Sequence, residues 1–224
     1  MRNHIRYAFT LIELLIVISI IMILIAILLP ALSGSRKEAS KTQCLTRIRE
    51  VYVAHAEYLH NEPSLPPMNN DEDDGTWQYN YLIWDGVDFD NNFGPIIRFS
   101  GMADDPTPFF CPVQRDPFHS IRTAENPWPV HEGFDTRAGY SRRYHVSGRS
   151  LSQMKTIALF SDVIHYPDVV EQAHVTGVNV AYSDGHAKWV PDPGILTNNE
   201  LARPFSLMDN AIIEDLWDAL DERM

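Results

Sequence analysis

The hydrophobic and polar positions of this 224-residue chain separate a short apolar segment near its start from a longer segment of mixed polarity. Residues 14–29 contain no charged side chain and one polar side chain, Ser19. With the flank from Phe9 to Ile12 the apolar segment has about 21 residues, and a helix needs roughly 20 to cross the hydrocarbon core of a bilayer. The pattern therefore predicts one membrane-spanning helix over residues 9–29 and a water-soluble remainder.

A second periodic stretch follows Pro30, which lacks an N–H and predicts a kink or local opening of the helix. Beyond it, the helix is predicted to continue over residues 30–61 and to end before Pro63, where a loop rich in Pro, Asn and Asp begins. The spacing of three and four residues between apolar side chains is typical of one face of an amphipathic helix. The residues on this predicted face are Leu45, Ile48, Tyr52, His55 and Leu59.

Residues 177–190 contain two β-rich runs on either side of Asp184-Gly185. This dipeptide favours a two-residue hairpin turn in which both residues have positive φ. The turn sets a register in which Tyr182 opposes Ala187. The sequence therefore predicts a β-hairpin near the C-terminal end of the chain.

Further elements are predicted in the head, which covers residues 62–205, and in the segment after it. Residues 156–162 predict a third strand, and residues 64–150 predict loops with short strands. Residues 206–224 predict an acidic amphipathic helix with Ser206 as its N-cap. The predicted apolar face of this helix consists of Ile212, Ile213, Leu216, Trp217 and Leu220. The fold class is therefore predicted as α+β, with a long N-terminal helix packed on a small, mainly antiparallel β-sheet.

The charge of the chain narrows the range of partners. It has 18 Lys and Arg and 30 Asp and Glu, a formal net charge of −12. An acidic surface repels phosphate backbones, which excludes nucleic acid as an expected partner. The acidic loop at residues 85–94 lacks the spacing of a calcium-binding EF-hand loop, because Phe93 occupies the glycine position. No catalytic motif is present, so neither an enzyme nor a bound metal or cofactor is expected.

The leader, residues 1–8, has an unusual order. A secretory signal peptide has a cleavage site after its apolar stretch. Here the basic residues Arg2 and Arg6 are followed by a small residue, Ala8, and the apolar stretch comes afterwards. A cut between Ala8 and Phe9 would remove the basic leader and keep the membrane helix.

Glu13 is an acidic side chain inside this apolar helix, which costs a few kcal/mol unless it is paired. After a cut before Phe9, the new α-amine would lie one helical turn before Glu13. In a filament, the amine of a neighbouring subunit would attract the same carboxylate strongly in a low dielectric. The alternative is that Glu13 lies near the interface and reaches into the lipid headgroups.

The sequence AFTLIE at residues 8–13, followed by the apolar run, resembles the prepilin cleavage and methylation motif of type IV pilins and type II secretion pseudopilins. The resemblance implies cleavage before Phe9 by a prepilin peptidase, N-methylation of Phe9, and Glu13 in the role of the family's acidic residue. The family more usually has Gly at the position of Ala8.

A second resemblance lies near the C-terminus. His174 precedes Asp184-Gly185 with nine residues between, which resembles the H-X9-DG signature of a subgroup of pilin-like proteins. Ten strand residues at about 3.3 Å each would place His174 and Asp184 roughly 33 Å apart, so they are not expected to share an ion. Asp184 is predicted as a turn residue. His174 is expected to meet either Asp162 or the polar loops at the other end of the hairpin.

The two cysteines, Cys44 and Cys111, fit no metal-binding spacing. Cys44 lies beside the apolar face of the helix, and an exported head is exposed to oxidation. A disulfide is therefore predicted, and it would stabilise the head by about 4 kcal/mol because it closes a long loop. Two buried free thiols are the alternative.

These features predict a structural subunit of a type IV pilus-like or type II secretion pseudopilus filament. The chain is expected to be a single-pass inner-membrane protein with a cytoplasmic leader and an extracytoplasmic head. Two basic residues precede the span and five follow it, and by the positive-inside rule this count favours the opposite orientation. The cleavage motif is given more weight than the count. Expected partners are the prepilin peptidase and methylase, related pilin-type subunits and the lipid bilayer. The alternative is a bitopic anchored protein that binds a ligand or metal and does not polymerise.

Overall fold

The computed structural model describes residues 10–68, 80–143, 146–164, 166–174, 176–191, 194 and 210–224. The chain forms two compact units, residues 1–40 and 41–224, and helix α1 (Leu11–Asn61) contributes to both. The predicted leader, the processing residues Ala8 and Phe9, and the predicted N-cap Ser206 lie outside the described residues.

The first unit contains the apolar part of α1. By length and composition, one helix among the described residues is able to cross a membrane, with a mean hydropathy of 3.3 over its most apolar window. None of that window is buried within the protein. The helix continues through Pro30 without interruption, so the predicted local opening is not observed, and a bend there stays a prediction. Apart from Ser19, residues 14–29 therefore present a continuous apolar surface to their surroundings.

The second unit is built on antiparallel strands, which confirms the predicted α+β class. A two-stranded sheet pairs β1 (Leu82–Asp85) with β2 (Asp135–Arg137). A four-stranded sheet has the order β3-β4-β5-β6, with strands Tyr140–Arg142, Ala158–Asp162, Gly177–Tyr182 and Ala187–Pro191. Among the residues that the structure describes, the other helices are α2 (Gly94–Phe99), α3 (Pro167–Ala173), α4 (Asn210–Asp221) and short 3-10 helices at Thr107–Phe109 and Leu151–Gln153.

The central strand β5 is buried along its whole length because helices cover both faces of its sheet. Ala181 belongs to a core that also contains Ile48 and Val51 of α1. Val180 belongs to a second core, which contains Trp217 of α4. Residues that alternate along one strand thus join two different hydrophobic cores, as the two-residue period of a strand requires.

The hairpin between β5 and β6 differs by one residue from the predicted register. Ala181 pairs with Ala187, and the Tyr182 N–H donates to the His186 carbonyl oxygen at 2.9 Å. The loop therefore has three residues, and within it only Gly185 has a positive φ, of +92°. A turn of this kind ends with one residue in the left-handed region, whereas the predicted two-residue turn needs two.

Helix α4 is attached to the end of β3 by a cluster of charged side chains that was not predicted from the sequence. The Arg143 guanidinium lies 2.8 Å from Glu214, 2.5 Å from Asp218 and 2.6 Å from Asp221. Asp221 also accepts a hydrogen bond from the Ala158 N–H at 2.6 Å. The spacing of four and three residues between these acids places them on one helix face, opposite the arginine.

Burial lowers the pKa of two histidines in the second unit, His55 and His119. His55 of α1 is fully buried, with Nδ1 2.8 Å from the Val51 carbonyl oxygen, and its pKa falls to about 3. His119 lies with Nδ1 3.0 Å from the Ala138 carbonyl oxygen, and its pKa falls to about 4. Both side chains are therefore neutral at neutral pH.

We expect the free energy of unfolding to fall as the pH drops below about 6.5, because the unfolded histidines then bind protons that the folded ones do not. His55 and His119 each account for roughly 2 kcal/mol of this loss at pH 5. Denaturant unfolding of the full chain in detergent, followed by tryptophan fluorescence at pH 7 and pH 5, measures the effect.

The matched comparison is between His55→Leu and His131→Gln, since His131 is exposed. Burial raises the pKa of Asp162, so this carboxyl makes the folded state more stable as the pH falls. The contribution of Asp162 is the same in both variants and cancels in the comparison. The His55→Leu variant should lose clearly more of the pH dependence than the His131→Gln variant. Equal pH dependence of the unfolding free energy in both variants would show that the buried His55 does not cause the loss of stability.

Candidate functional site

The start of α1 is closed by a reciprocal pair of hydrogen bonds between Thr10 and Glu13. The Glu13 N–H donates to Thr10 Oγ1 at 3.3 Å, and Glu13 Oε2 accepts from the Thr10 N–H at 2.8 Å and from its hydroxyl at 2.7 Å. This arrangement is a capping box, which satisfies two backbone N–H groups that the helix itself leaves unpaired. This role of Glu13 was not predicted, although Thr-x-x-Glu before an apolar run is the sequence signature of a capping box.

The capping box gives Glu13 a role within a single chain, separate from any contact between subunits. Both hydrogen bonds from Thr10 end on Glu13 Oε2, which leaves the other carboxylate oxygen, Oε1, open to a cation. The amine of Phe9 lies outside the described residues. Pairing of that amine with Glu13 therefore stays a proposal.

Cys44 of α1 and Cys111, which follows the 3-10 helix Thr107–Phe109, are joined by a disulfide. Both are buried, with their Cα atoms 5.2 Å apart. Arg47, one turn after Cys44, donates to the Phe110 carbonyl oxygen at 2.7 Å. A covalent bond and a hydrogen bond thus attach the helix to the same loop of the head.

His174 lies against this disulfide. Its Nε2 atom is 3.5 Å from Cys111 Sγ, 3.1 Å from Asn179 Nδ2 and 3.7 Å from Asp162 Oδ2. Asp162 Oδ2 also accepts from the backbone N–H of Asn179 at 2.6 Å and from its Nδ2 at 3.0 Å. Burial raises the pKa of the Asp162 carboxyl. Of the two partners expected for His174, the structure places Asp162 beside it.

The other end of the H-X9-DG segment lies at the hairpin turn. Asp184 Oδ1 accepts from the His186 N–H at 3.1 Å and lies 2.6 Å from His186 Nδ1. Tyr52 of α1 donates its hydroxyl to the Ser183 carbonyl oxygen at 3.0 Å. The histidine and the Asp-Gly pair thus have separate partners, and each end of β5 is held near helix α1.

We expect Gly185→Ala to destabilise the head by more than about 1 kcal/mol, since φ is +92° and an added Cβ would lie 3.0 Å from the Tyr52 ring. Gly148→Ala is the matched control, because Gly148 has φ of +73° and an added Cβ there would meet no atom within 4 Å. The difference between the losses of unfolding free energy in the two variants gives the cost of the contact with Tyr52. Equal losses would show that this contact contributes nothing.

The chemistry of the cluster formed by Cys44, Cys111 and His174 depends on the oxidation state of the two cysteines. Among the described residues both cysteines are bridged, so the His174 imidazole faces a disulfide sulfur and no thiolate. The cluster therefore acts as a covalent and polar attachment of the head to α1.

Comparison with known proteins adds one finding about the start of the chain. Residues 4–29 match a family model described as the prokaryotic N-terminal methylation motif. No curated protein and no solved structure matches the chain. Together with the long apolar helix, the motif indicates a bitopic, membrane-anchored protein. The chain thus carries a prepilin-type motif, which implies processing by a prepilin peptidase and assembly with pilin-type subunits.

Proposed function

We propose that the chain is a structural subunit of a type IV pilus-like or type II secretion pseudopilus filament, cleaved before Phe9 and N-methylated there. The observation that carries the proposal is a methylation motif at residues 4–29 that includes the exposed apolar part of α1. The proposed partners are the prepilin peptidase and methylase, related pilin-type subunits and the bilayer. The proposal assigns no catalytic residue, no metal or cofactor, and no nucleic-acid contact to the filament role.

The exposed apolar surface of α1 supports assembly through this helix. Its large side chains between Leu11 and Leu29 are 40–88 % exposed in the isolated chain. Lipid covers such a surface before assembly, and the same helices of neighbouring subunits cover it in a filament. Glu13 breaks the apolar surface, and pairing with the Phe9 amine of a neighbour would set the axial position of one subunit against the next.

We propose that the leader is cytoplasmic and that the head is extracytoplasmic. The disulfide supports this orientation, because disulfides persist in oxidising compartments. Three of the five basic residues after the span contact the head: Lys41 lies 4.6 Å from the Trp189 ring centroid, Arg47 bonds the loop at Cys111, and Arg49 bonds the Ala187 carbonyl oxygen. These three charges have a structural role in the head. The count of basic residues around the span is therefore weaker evidence for a cytoplasmic head.

The rival proposal is an anchored head that binds a ligand or metal and never polymerises. A photo-reactive amino acid at Leu24, on the exposed apolar surface of α1, distinguishes the two. Illumination of native cells should give a ladder of crosslinked subunits. The matched control is the same variant in cells without a prepilin peptidase, where the retained leader should abolish the ladder. Only monomers in both strains would favour the rival.

A further inference from the structure

The head contains a cluster of metal-ligating atoms that filament assembly does not use. Cys44 Sγ, Cys111 Sγ and His174 Nε2 all lie within 4.8 Å of one another, and all three residues are buried. Two sulfurs and one imidazole nitrogen are the ligands that zinc takes in proteins. Cysteines are synthesised as thiols, so this ligand set exists before the disulfide forms.

The spacing within the cluster fits a tetrahedral ion. Zinc lies about 2.3 Å from thiolate sulfur and about 2.0–2.1 Å from imidazole nitrogen, so sulfur and nitrogen bound to one tetrahedral zinc are roughly 3.5 Å apart. The observed distance between Cys111 Sγ and His174 Nε2 is 3.5 Å. Once the sulfur-sulfur bond is absent, the Cys44 sulfur needs to move outward, and the Asn179 amide, 3.1 Å from His174 Nε2, needs to give up its contact with that nitrogen.

A second observation concerns the polar groups around His174. Asp162 Oδ1 and Asn179 Oδ1 are buried and accept no hydrogen bond from any residue that the structure describes. The Asp162 carboxylate lies 3.7 Å from His174 Nε2, and its side chain is 3 % exposed. Buried oxygens without a donor are costly, and a nearby cation or a water bound to it would satisfy them.

We propose that the thiol form of the protein binds one Zn²⁺ ion through Cys44, Cys111 and His174, with Asp162 beside the ion. Binding replaces the two thiol protons, which leave to solvent, and no electron is transferred. The disulfide form cannot bind the ion, because neither sulfur is then a thiolate. The histidine of the H-X9-DG segment therefore has a ligand role in one state of the cysteines and packs on the disulfide in the other.

The test uses the full chain in detergent, carrying no histidine tag. A phosphine reduces the disulfide and is removed under argon, and Co²⁺ is then added as a spectroscopic substitute for Zn²⁺. We expect one equivalent of Co²⁺ to give a sulfur-to-cobalt charge-transfer band and the intense visible bands of a tetrahedral ion. Added Zn²⁺ should abolish both, and the oxidised chain should give neither. Absence of the charge-transfer band from the reduced chain would overturn the proposal.

Variants test the histidine ligand. His174→Asn should weaken Co²⁺ binding at least about tenfold, while His131→Asn, at an exposed site, should leave it unchanged. If His174→Asn does not fold, His174→Cys supplies a third thiolate and should increase the charge-transfer intensity. Zn²⁺ should also slow alkylation of Cys44 and Cys111 in the reduced wild type. Binding by His174→Asn equal to wild type, or unchanged intensity in His174→Cys, would overturn the assignment of His174.

Discussion

A Glu13→Val variant is expected to insert into the membrane as well as the wild type and to fail to assemble. Valine is favoured over glutamate in hydrocarbon by a few kcal/mol, so insertion should not suffer. In a filament, however, the positively charged amine of Phe9 on the adjoining subunit would be buried without its carboxylate. Removing one half of a buried ion pair costs about 3 to 5 kcal/mol, and this cost recurs at every subunit contact.

The capping box makes a second variant informative. Glutamine at position 13 still offers an oxygen to the Thr10 N–H and so keeps the helix cap, but it removes the charge. If the ion pair drives assembly, Glu13→Gln should assemble as poorly as Glu13→Val. If the cap alone matters, Glu13→Gln should assemble like the wild type.

Membrane fractionation measures insertion for both variants, and the Leu24 photo-crosslinking ladder measures assembly. The expected result is full membrane recovery of both proteins and loss of both ladders. A normal ladder from Glu13→Val would remove the assembly role of Glu13. It would also remove the strongest physical reason for preferring a filament subunit over a solitary anchored head.

Removing the disulfide is expected to have the second largest effect. The bond closes a loop with a sequence separation of 67 residues. In the chain-entropy model, the Cys44→Ala and Cys111→Ala double variant should lose about 4 kcal/mol of unfolding free energy. The measurement is denaturant unfolding of the full chain in detergent.

Two controls connect this loss with the bond. In the presence of a phosphine reductant, the unfolding free energy of the wild type should be close to that of the double variant. Non-reducing peptide mapping of the native protein should recover Cys44 and Cys111 in one crosslinked peptide pair. Rapid alkylation of both thiols in the folded protein without reductant would show that the native head is not bridged.

Elements governed by local periodicity were predictable from the sequence. Spacings of three and four residues located the helix that carries Ile48 and Tyr52, and alternation around Asp184-Gly185 located the hairpin. These patterns report which side chains share one face of an element. The fold class followed from them, because one long helix and a small antiparallel sheet have few ways to bury their apolar faces.

The features that escaped prediction depend on contacts between distant parts of the chain or on fine turn geometry. Arg143 meets the acids of α4 across more than 70 residues, and no local pattern indicates that pairing. His174 reaches Cys111 across 63 residues. The hairpin register was wrong by one because Asp184 bonds the His186 N–H and only Gly185 enters the left-handed region. A turn signal locates a loop but does not fix its length.

The mass of the native N-terminal peptide shows whether the chain is cut before Phe9 and methylated there. Membranes from cells that make the protein at its natural level are digested, and the N-terminal peptide is sequenced by mass spectrometry. We expect a mature chain that begins at Phe9 with a methyl group on its α-amine, because the proposed cut lies between the small residue Ala8 and the apolar run. An N-terminal peptide that still contains Arg6 in the native membrane would contradict it.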